Sequence, residues 1–90
     1  MIVMERVRFR VEAPRAKTVM LAGDFTDWGT KPRLMRRATP RSQVFIAQVT
    51  LAPGTYQYKF IVDGEWAEDP QARSVPNCFG TLNSLCVVGD

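Results

Sequence analysis

Apolar and polar residues alternate along most of this chain, with the period of two that is typical of half-buried β-strands. Gly, Pro and Asp residues interrupt the alternation at short intervals, as turns between strands do. No apolar stripe with the helical period of 3.6 residues runs long enough to predict a helix. The pattern predicts strands over residues 4–12, 18–22, 33–35, 44–51, 55–62 and 84–88.

About seven short strands in a chain of 90 residues indicate an all-β fold, and we expect an immunoglobulin-like antiparallel β-sandwich. The length allows one domain, which we expect to span residues 1–90. Residues 36–43 are predicted as a polar turn. Residues 69–82 form a long connection of weak periodicity, and such loops are often functional in small domains. The predicted core residues are Val7, Phe9, Leu21, Phe25, Phe45, Tyr58, Phe60 and Val87.

Residues 56–66 carry the clearest strand and turn signals in the chain. The large side chains at even positions form one face of the predicted strand, so Lys59 is expected to point away from the core. The dipeptide Asp63-Gly64 is a strong signal for a two-residue type I′ hairpin turn. The resulting register puts Trp66 on the same outer face as Lys59. Trp66 is then either an exposed binding surface or a side chain that a loop covers.

A second tryptophan, Trp28, lies in a short loop over residues 23–30. A loop of this length can bury Phe25 or Trp28 but not easily both, so burial of Phe25 leaves Trp28 at the surface. Two exposed indoles with a lysine are the physical elements of a sugar-binding site. The C–H face of a pyranose packs on an aromatic ring, while its hydroxyl groups bond to polar side chains.

The sequence Phe79-Gly80-Thr81-Leu82-Asn83 adds further groups of this kind. Leu82 is predicted to point into the core, with Thr81 and Asn83 pointing outward. Gly80 permits a close backbone approach, and Phe79 is expected to be exposed. Taken alone the pattern is weak, because Asn and Thr at a strand edge are common turn residues.

Basic residues are concentrated in the first half of the chain. Residues 1–45 hold ten basic and four acidic residues, whereas residues 46–90 hold two and five. Three of the arginines, Arg6, Arg8 and Arg10, alternate with apolar residues, which indicates the solvated face of a strand. A basic half could instead bind nucleic acid or an acidic protein, so both alternatives stay open.

The composition lacks residues that many reaction centres use. There is no His, which is the most common general base and metal ligand. Cys78 and Cys86 lack metal-ligand spacing, and without an export signal we expect two reduced thiols in the cytoplasm. We expect no metal and no cofactor. No apolar run approaches the roughly 20 residues that cross a bilayer, so we expect no membrane partner.

Four motifs that contain these residues occur in order: Gly-Asp-Phe-Thr-Asp-Trp (23–28), Gln-Tyr-Lys-Phe-Ile-Val-Asp-Gly-Glu-Trp (57–66), Asp-Pro (69–70) and Gly-Thr-Leu-Asn-Ser (80–84). Together they resemble the glycogen-binding domain of the AMP-activated protein kinase beta subunit, a carbohydrate-binding module of family 48. Similar modules precede the catalytic barrel of isoamylases and branching enzymes. The resemblance covers residues 18–88 and implies an early-set type of immunoglobulin-like sandwich that binds α-1,4-glucans.

The resemblance implies that four side chains make the main contacts with the glucan. Trp28 and Trp66 would stack on glucose rings of the chain. Lys59 and Asn83 would form hydrogen bonds to sugar hydroxyl groups.

Three neighbouring residues complete the site that the resemblance implies. Thr81 and the backbone of Gly80 would assist the hydrogen bonding, and Phe79 stands where the family commonly has an aliphatic residue that inserts into a curved glucan. The implied partner is an α-glucan, with a glucan-metabolising enzyme as a second partner. The resemblance does not extend to the kinase subunit's separate C-terminal assembly region, so it does not imply kinase scaffolding.

An enzyme that hydrolyses glucans would need two carboxyl groups flanking the scissile bond. The candidates are Asp63, Glu65, Glu68 and Asp69. The turn accounts for Asp63, and the hairpin register puts Glu68 opposite Lys59, where we expect a salt bridge. Nothing in the sequence indicates a deep cleft, so we expect a binding domain without enzyme activity. A protein-interaction module, or a fragment of a glucan-active enzyme, remains the alternative.

Overall fold

The chain folds into nine β-strands and one 3₁₀ turn in a computed structural model that describes residues 3–89. The outermost residues of the predicted 1–90 domain therefore lie outside the described residues. The strands are β1 (Glu5–Glu12), β2 (Val19–Gly23), β3 (Arg33–Leu34), β4 (Arg36–Arg37), β5 (Val44–Leu51), β6 (Gly54–Val62), β7 (Glu65–Ala67), β8 (Ser74–Pro76) and β9 (Leu82–Val88). All six strands predicted from the alternation are present, with bounds within two residues of the predicted ones.

The strands form two antiparallel sheets. One has the order β1-β5-β4, and the other has the order β3-β2-β6-β9-β8. Strand β7 pairs with the far end of β6, beyond the residues that pair with β9. The predicted all-β antiparallel sandwich is confirmed. Within residues 3–89 no helix is long and apolar enough to cross a membrane.

The alternation pattern misses two short strands, and each is placed by a longer neighbour. Strand β4 lies in the segment predicted as a polar turn and pairs with β5. Strand β8 lies in the predicted long connection and pairs with β9 at the edge of the larger sheet. Pro76 is tolerated in β8 because an edge strand does not need every backbone N–H for pairing. Strands of two or three residues are too short to produce a visible alternation.

The core lies between the two sheets and is centred on strand β6. Phe60 and Leu21 are fully buried. Tyr58 packs edge-to-face against Phe60 and Phe9, with ring centroids 5.7 and 4.9 Å apart. Seven of the eight predicted core residues belong to the buried cluster or pack against it, namely Val7, Phe9, Leu21, Phe25, Phe45, Tyr58 and Phe60.

The predictions for strand β9 are wrong at two positions. Val87 was expected in the core but is 68% exposed, whereas Val88 is 4% exposed. Successive side chains of a strand point to opposite faces. Two adjacent valines give no alternation, so hydrophobicity alone could not show which one points inward. Leu82, which was expected to point inward, is 37% exposed at the first position of the strand.

The outer face of the smaller sheet carries the arginines of strand β1. Arg6, Arg8 and Arg10 are exposed. Phe9 and Val11, which alternate with the arginines along the strand, are buried. The predicted solvated strand face is confirmed for these three arginines.

Candidate functional site

The hairpin formed by β6 and β7 positions the first tryptophan. Its ladder pairs Ile61 with Trp66 and Val62 with Glu65, as the sequence predicts. Trp66 therefore lies on the outer face of the larger sheet, and 50% of its surface is exposed. The alternative in which a loop covers Trp66 is wrong.

One carboxylate holds the turn of this hairpin. Asp63 and Gly64 have φ values of 49° and 86°, as a type I′ turn requires. Asp63 Oδ1 accepts hydrogen bonds from the backbone N–H groups of Thr18 and Lys17, each 2.9 Å long. These bonds stabilise the charged form and lower the pKa of Asp63 below its ordinary value. Asp63 thus ties the turn to the chain just before strand β2.

Lys59 projects from the same outer face, yet it is only 8% exposed. It lies where β7 ends and β9 begins, and its Nζ donates a hydrogen bond of 3.3 Å to Thr81 Oγ1. The expected pairing of Lys59 with Glu68 is wrong, because the ladder ends at Phe60 and Ala67. The lysine ammonium therefore bonds to a hydroxyl group instead of the predicted carboxylate.

The loop over residues 23–30 brings the second tryptophan to the same face. Phe25 packs against the core, with its ring centroid 5.4 Å from that of Phe9. Trp28 remains partly exposed. Gly23 begins the loop at a position where a Cβ would lie 2.6 Å from a backbone oxygen of β6. The close approach that only glycine allows thus brings this loop against strand β6.

Asp24 fixes the orientation of this second indole. Trp28 Nε1 donates a hydrogen bond of 3.2 Å to Asp24 Oδ1. The other carboxylate oxygen, Oδ2, accepts a bond of 2.8 Å from the backbone N–H of Gln57 in β6. The indoles of Trp28 and Trp66 then lie side by side, with ring centroids 6.5 Å apart and planes inclined by 52°.

Asn77 closes the loop between β8 and β9. Its backbone N–H donates to the carbonyl of Thr81 over 3.0 Å. Its side-chain Oδ1 accepts bonds from the backbone N–H groups of Phe79 and Thr81, 2.9 and 3.1 Å long. Its Nδ2 donates to Thr81 Oγ1 at 2.7 Å and to Asn83 Oδ1 at 2.9 Å. The closed loop leaves Phe79 85% exposed and contains Gly80 with φ of 81°.

These three segments enclose a cleft of about 930 Å³ on the outer face of the larger sheet. Its lining residues are Asp24, Trp28, Gly29, Gln57, Lys59, Trp66, Pro76, Asn77, Cys78, Phe79, Thr81 and Asn83. Six of the seven residues singled out from the sequence line the cleft, and the seventh, Gly80, lies between two of them without lining it.

Sequence reasoning missed three polar residues of the cleft. Gln57 shares the strand face of Lys59, so the alternation that placed the lysine could have found it. Asp24 and Asn77 act through loop hydrogen bonds. No periodicity marks such positions, because the bonds depend on the folded loop.

Asp69 lies among structural contacts rather than in the cleft. Its Oδ2 accepts a bond of 2.7 Å from the Tyr58 hydroxyl, and its backbone N–H donates 2.9 Å to Ser84 Oγ. Burial, together with this bond to Asp69, raises the pKa of Tyr58 well above its ordinary value. Within residues 3–89 no group of three or more His, Cys, Asp or Glu side chains is placed to hold a metal ion.

Both cysteines are free thiols. Cys78 is exposed and lines the cleft. Cys86 packs partly against the core, and burial raises the pKa of its thiol.

Comparison with known proteins connects this cleft with a family. The family model described as the glycogen recognition site of AMP-activated protein kinase matches residues 6–90. The chain belongs to this family. The resemblance carried by the four sequence motifs is confirmed.

The chain is similar to parts of longer proteins. The 5'-AMP-activated protein kinase subunit beta-2 of Homo sapiens is 39% identical over 69 residues, which are 77% of this chain and 24% of that protein. The subunit beta-1 of Sus scrofa is 38% identical over 72 residues, which are 80% of this chain and 55% of that sequence. The match thus spans about a quarter of the length of the beta-2 subunit.

Proposed function

We propose that the glycogen recognition domain binds α-1,4-glucans in this cleft, without catalysing a reaction. The observation that carries the proposal is the pair of indoles, 6.5 Å apart on the outer face of the sheet. Large aromatic surface left in water indicates a site for a ligand. The C–H face of a pyranose packs on such rings, so Trp28 and Trp66 would each support one glucose ring.

The shape of the cleft suits a curved ligand. The two indole planes are inclined by 52°, so sugar rings stacked on them are also inclined to each other. An α-1,4-linked glucan curves in this manner. Phe79, at 85% exposure, would insert into the turn of such a chain. The space beside Gly80 is open, because no protein atom lies within 4 Å of where its Cβ would be. A glucan can therefore come close to the backbone at this position.

Polar side chains at the base of the cleft would hold the sugar hydroxyl groups. Lys59 and Asn83 are both 8% exposed, so their positions are fixed before the ligand arrives. Thr81 bonds to Lys59 and would contribute its hydroxyl group. Groups that are ordered in advance reduce the entropy cost of binding a flexible sugar.

The absence of catalysis in the proposal follows from the positions of the carboxylates. Glycoside hydrolysis needs two carboxyl groups on either side of the scissile bond. Asp63 lies in the hairpin turn and accepts a hydrogen bond from the backbone N–H of Lys17. Asp69 accepts a hydrogen bond from the Tyr58 hydroxyl. Asp24 is the one carboxylate that lines the cleft within residues 3–89, and it bonds to Trp28 and Gln57.

The proposal also covers partner and compartment. By binding a glucan, the domain would bring a glucan-metabolising enzyme to its polymer. The relatives are named as subunits of a protein kinase, and this chain matches a limited part of them. Two free thiols fit a reducing compartment such as the cytoplasm.

A titration followed by tryptophan fluorescence tests the proposal. β-Cyclodextrin and maltoheptaose should produce a saturable change, with a Kd in the micromolar to millimolar range. The affinity should change little between about 0.05 and 0.5 M salt, whereas nucleic-acid binding would weaken steeply because bound phosphates release counterions. No response to either glucan, or binding that salt abolishes, would overturn the proposal.

A further inference from the structure

We infer, on the basis of the proposed glucan binding, that Asn77 is a positioning residue that makes the base of the cleft a row of hydrogen-bond donors. The glucan would then be recognised through oxygen lone pairs turned toward this row. Each step depends on which atoms can only donate a hydrogen bond and which can accept one.

Two backbone groups fix the orientation of the Asn77 amide. The N–H groups of Phe79 and Thr81 can only donate, and both bond to Oδ1, at 2.9 and 3.1 Å. Nδ2 is therefore the atom that lies 2.7 Å from Thr81 Oγ1 and 2.9 Å from Asn83 Oδ1. A flipped amide would set its N–H hydrogens against the two backbone N–H groups. Both hydrogens of Nδ2 are consequently used, one within the loop and one on strand β9.

The Thr81 hydroxyl receives two of these donors. Asn77 Nδ2 and the Lys59 ammonium can only donate, and they lie 2.7 and 3.3 Å from Thr81 Oγ1. Together they occupy both lone pairs of this oxygen. The hydroxyl hydrogen of Thr81 bonds to no acceptor within residues 3–89 and is left for a ligand. Lys59 also keeps two N–H groups that this network does not use.

The orientation of the Asn77 amide also determines the orientation of the side-chain amides of Asn83 and Gln57. Asn83 Oδ1 accepts from Asn77, so its Nδ2 is turned toward Gln57 and donates to Oε1 at 3.0 Å. The Nε2 group of Gln57 is then left with two donor hydrogens, and Asn83 keeps one. Because Asn83 is only 8% exposed, it has little freedom to reorient.

The carboxylate of Asp24 lines the cleft beside these donors. Asp24 uses one oxygen for Trp28 Nε1 and the other for the backbone N–H of Gln57. A sugar hydroxyl can both donate and accept. A sugar hydroxyl that faces this row of donors accepts a hydrogen bond from the protein. Its own hydrogen then points to solvent or to a neighbouring hydroxyl group.

Asn77→Asp reverses this polarity and keeps the closed loop. One carboxylate oxygen still accepts the two backbone N–H groups, but the other oxygen accepts where Nδ2 donated. It would draw the Thr81 hydroxyl hydrogen and the Lys59 ammonium away from the cleft and would repel Asn83 Oδ1. We expect the affinity for β-cyclodextrin, measured by calorimetry, to fall about tenfold or more, with a melting temperature close to that of the unmodified domain.

Substitution of Thr81 provides a matched pair that does not depend on the loop amide. Thr81→Ser keeps the hydroxyl group, and its affinity should stay within about twofold of the original. Thr81→Val has nearly the same shape without the hydroxyl, and its affinity should fall about three- to tenfold. If Asn77→Asp does not fold, this pair decides the question.

The outcomes separate this inference from the proposed function. If the unmodified domain does not bind β-cyclodextrin, both are overturned. If it binds and Trp66→Ala abolishes binding, but Asn77→Asp binds normally or the two Thr81 variants bind alike, glucan binding stands and the donor polarity is overturned. Weak binding by Asn77→Asp and Thr81→Val, with normal binding by Thr81→Ser, supports both.

Discussion

The two faces of strand β6 are covered to similar extents, but their contacts differ in kind. On the core face, Tyr58 is 4% exposed and packs against the aromatic rings of Phe60 and Phe9. On the outer face, Lys59 is 8% exposed, and its ammonium group donates a hydrogen bond to the hydroxyl of Thr81. Burial of aromatic surface stabilises a fold, whereas covering a cation with a neutral partner costs free energy. Equal burial therefore indicates stability on one face and a binding role on the other.

This difference means that stability and binding should be separable by mutation. The core face is continuous with the buried cluster between the sheets. The outer face is continuous with the cleft and its loops. A substitution on one face should change one property and leave the other nearly unchanged, unless the domain unfolds.

The largest effect should come from Phe60→Ala on the core face. Phe60 is fully buried, and truncating such a side chain leaves a cavity that lowers the free energy of unfolding by about 3–5 kcal/mol. A domain of this size has little stability to spare, so we expect a large fall in the melting temperature measured by circular dichroism. Glucan binding would then be lost through unfolding. A melting temperature near the original would contradict the assignment of this face to the core.

Trp66→Ala should give the opposite result on the outer face. Half of this side chain is exposed, so its removal should change the melting temperature little. The affinity for β-cyclodextrin, measured by calorimetry, should fall at least about tenfold because one stacking surface is lost. Val87→Ala is the matched control, since Val87 is exposed on the outer face of the same sheet and does not line the cleft. Equal binding by the two variants would argue against the cleft as the glucan site.

A smaller loss of affinity should follow Asp24→Ala, which acts through the second indole. The variant removes the acceptor for Trp28 Nε1 and for the backbone N–H of Gln57. We expect about three- to tenfold weaker binding and a changed near-ultraviolet circular dichroism signal from the tryptophans. Asp24→Asn keeps one acceptor oxygen and should have an intermediate affinity. Unchanged binding by both variants would show that the indole holds its orientation without Asp24.

Much of the fold and the centre of the cleft follow from local sequence signals. Alternation fixes strand faces, and the dipeptide Asp63-Gly64 fixes the register that places Trp66 beside Lys59. These signals involve neighbours in sequence or strands joined by a two-residue turn. They are therefore visible before any long-range contact is known.

The features that sequence reasoning missed depend on contacts between distant segments. Strand β8 exists because β9 pairs with it. The role of Asn77 depends on two backbone N–H groups that the closed loop brings to its side chain. Glu68 does not pair with Lys59, because the hairpin ladder ends one residue earlier than a continuous strand would. In each case the local pattern is compatible with more than one arrangement, and the neighbouring strand or loop selects between them.

The smallest effect concerns the turn that holds the outer-face register, and it is visible in acid. The pKa of Asp63 is lowered in the folded state by hydrogen bonds from Thr18 and Lys17. Its contribution to stability is therefore fully present above the unfolded pKa of about 4 and is lost as the pH falls through the lower folded value. Asp63→Asn keeps an acceptor oxygen without the charge, so its melting temperature should decline less between about pH 5 and pH 2. Glu65→Gln, which removes a carboxylate two positions further along the hairpin, is the control and should retain the decline of the original domain. Parallel profiles for Asp63→Asn and the original domain would show that the charge of Asp63 does not stabilise the turn.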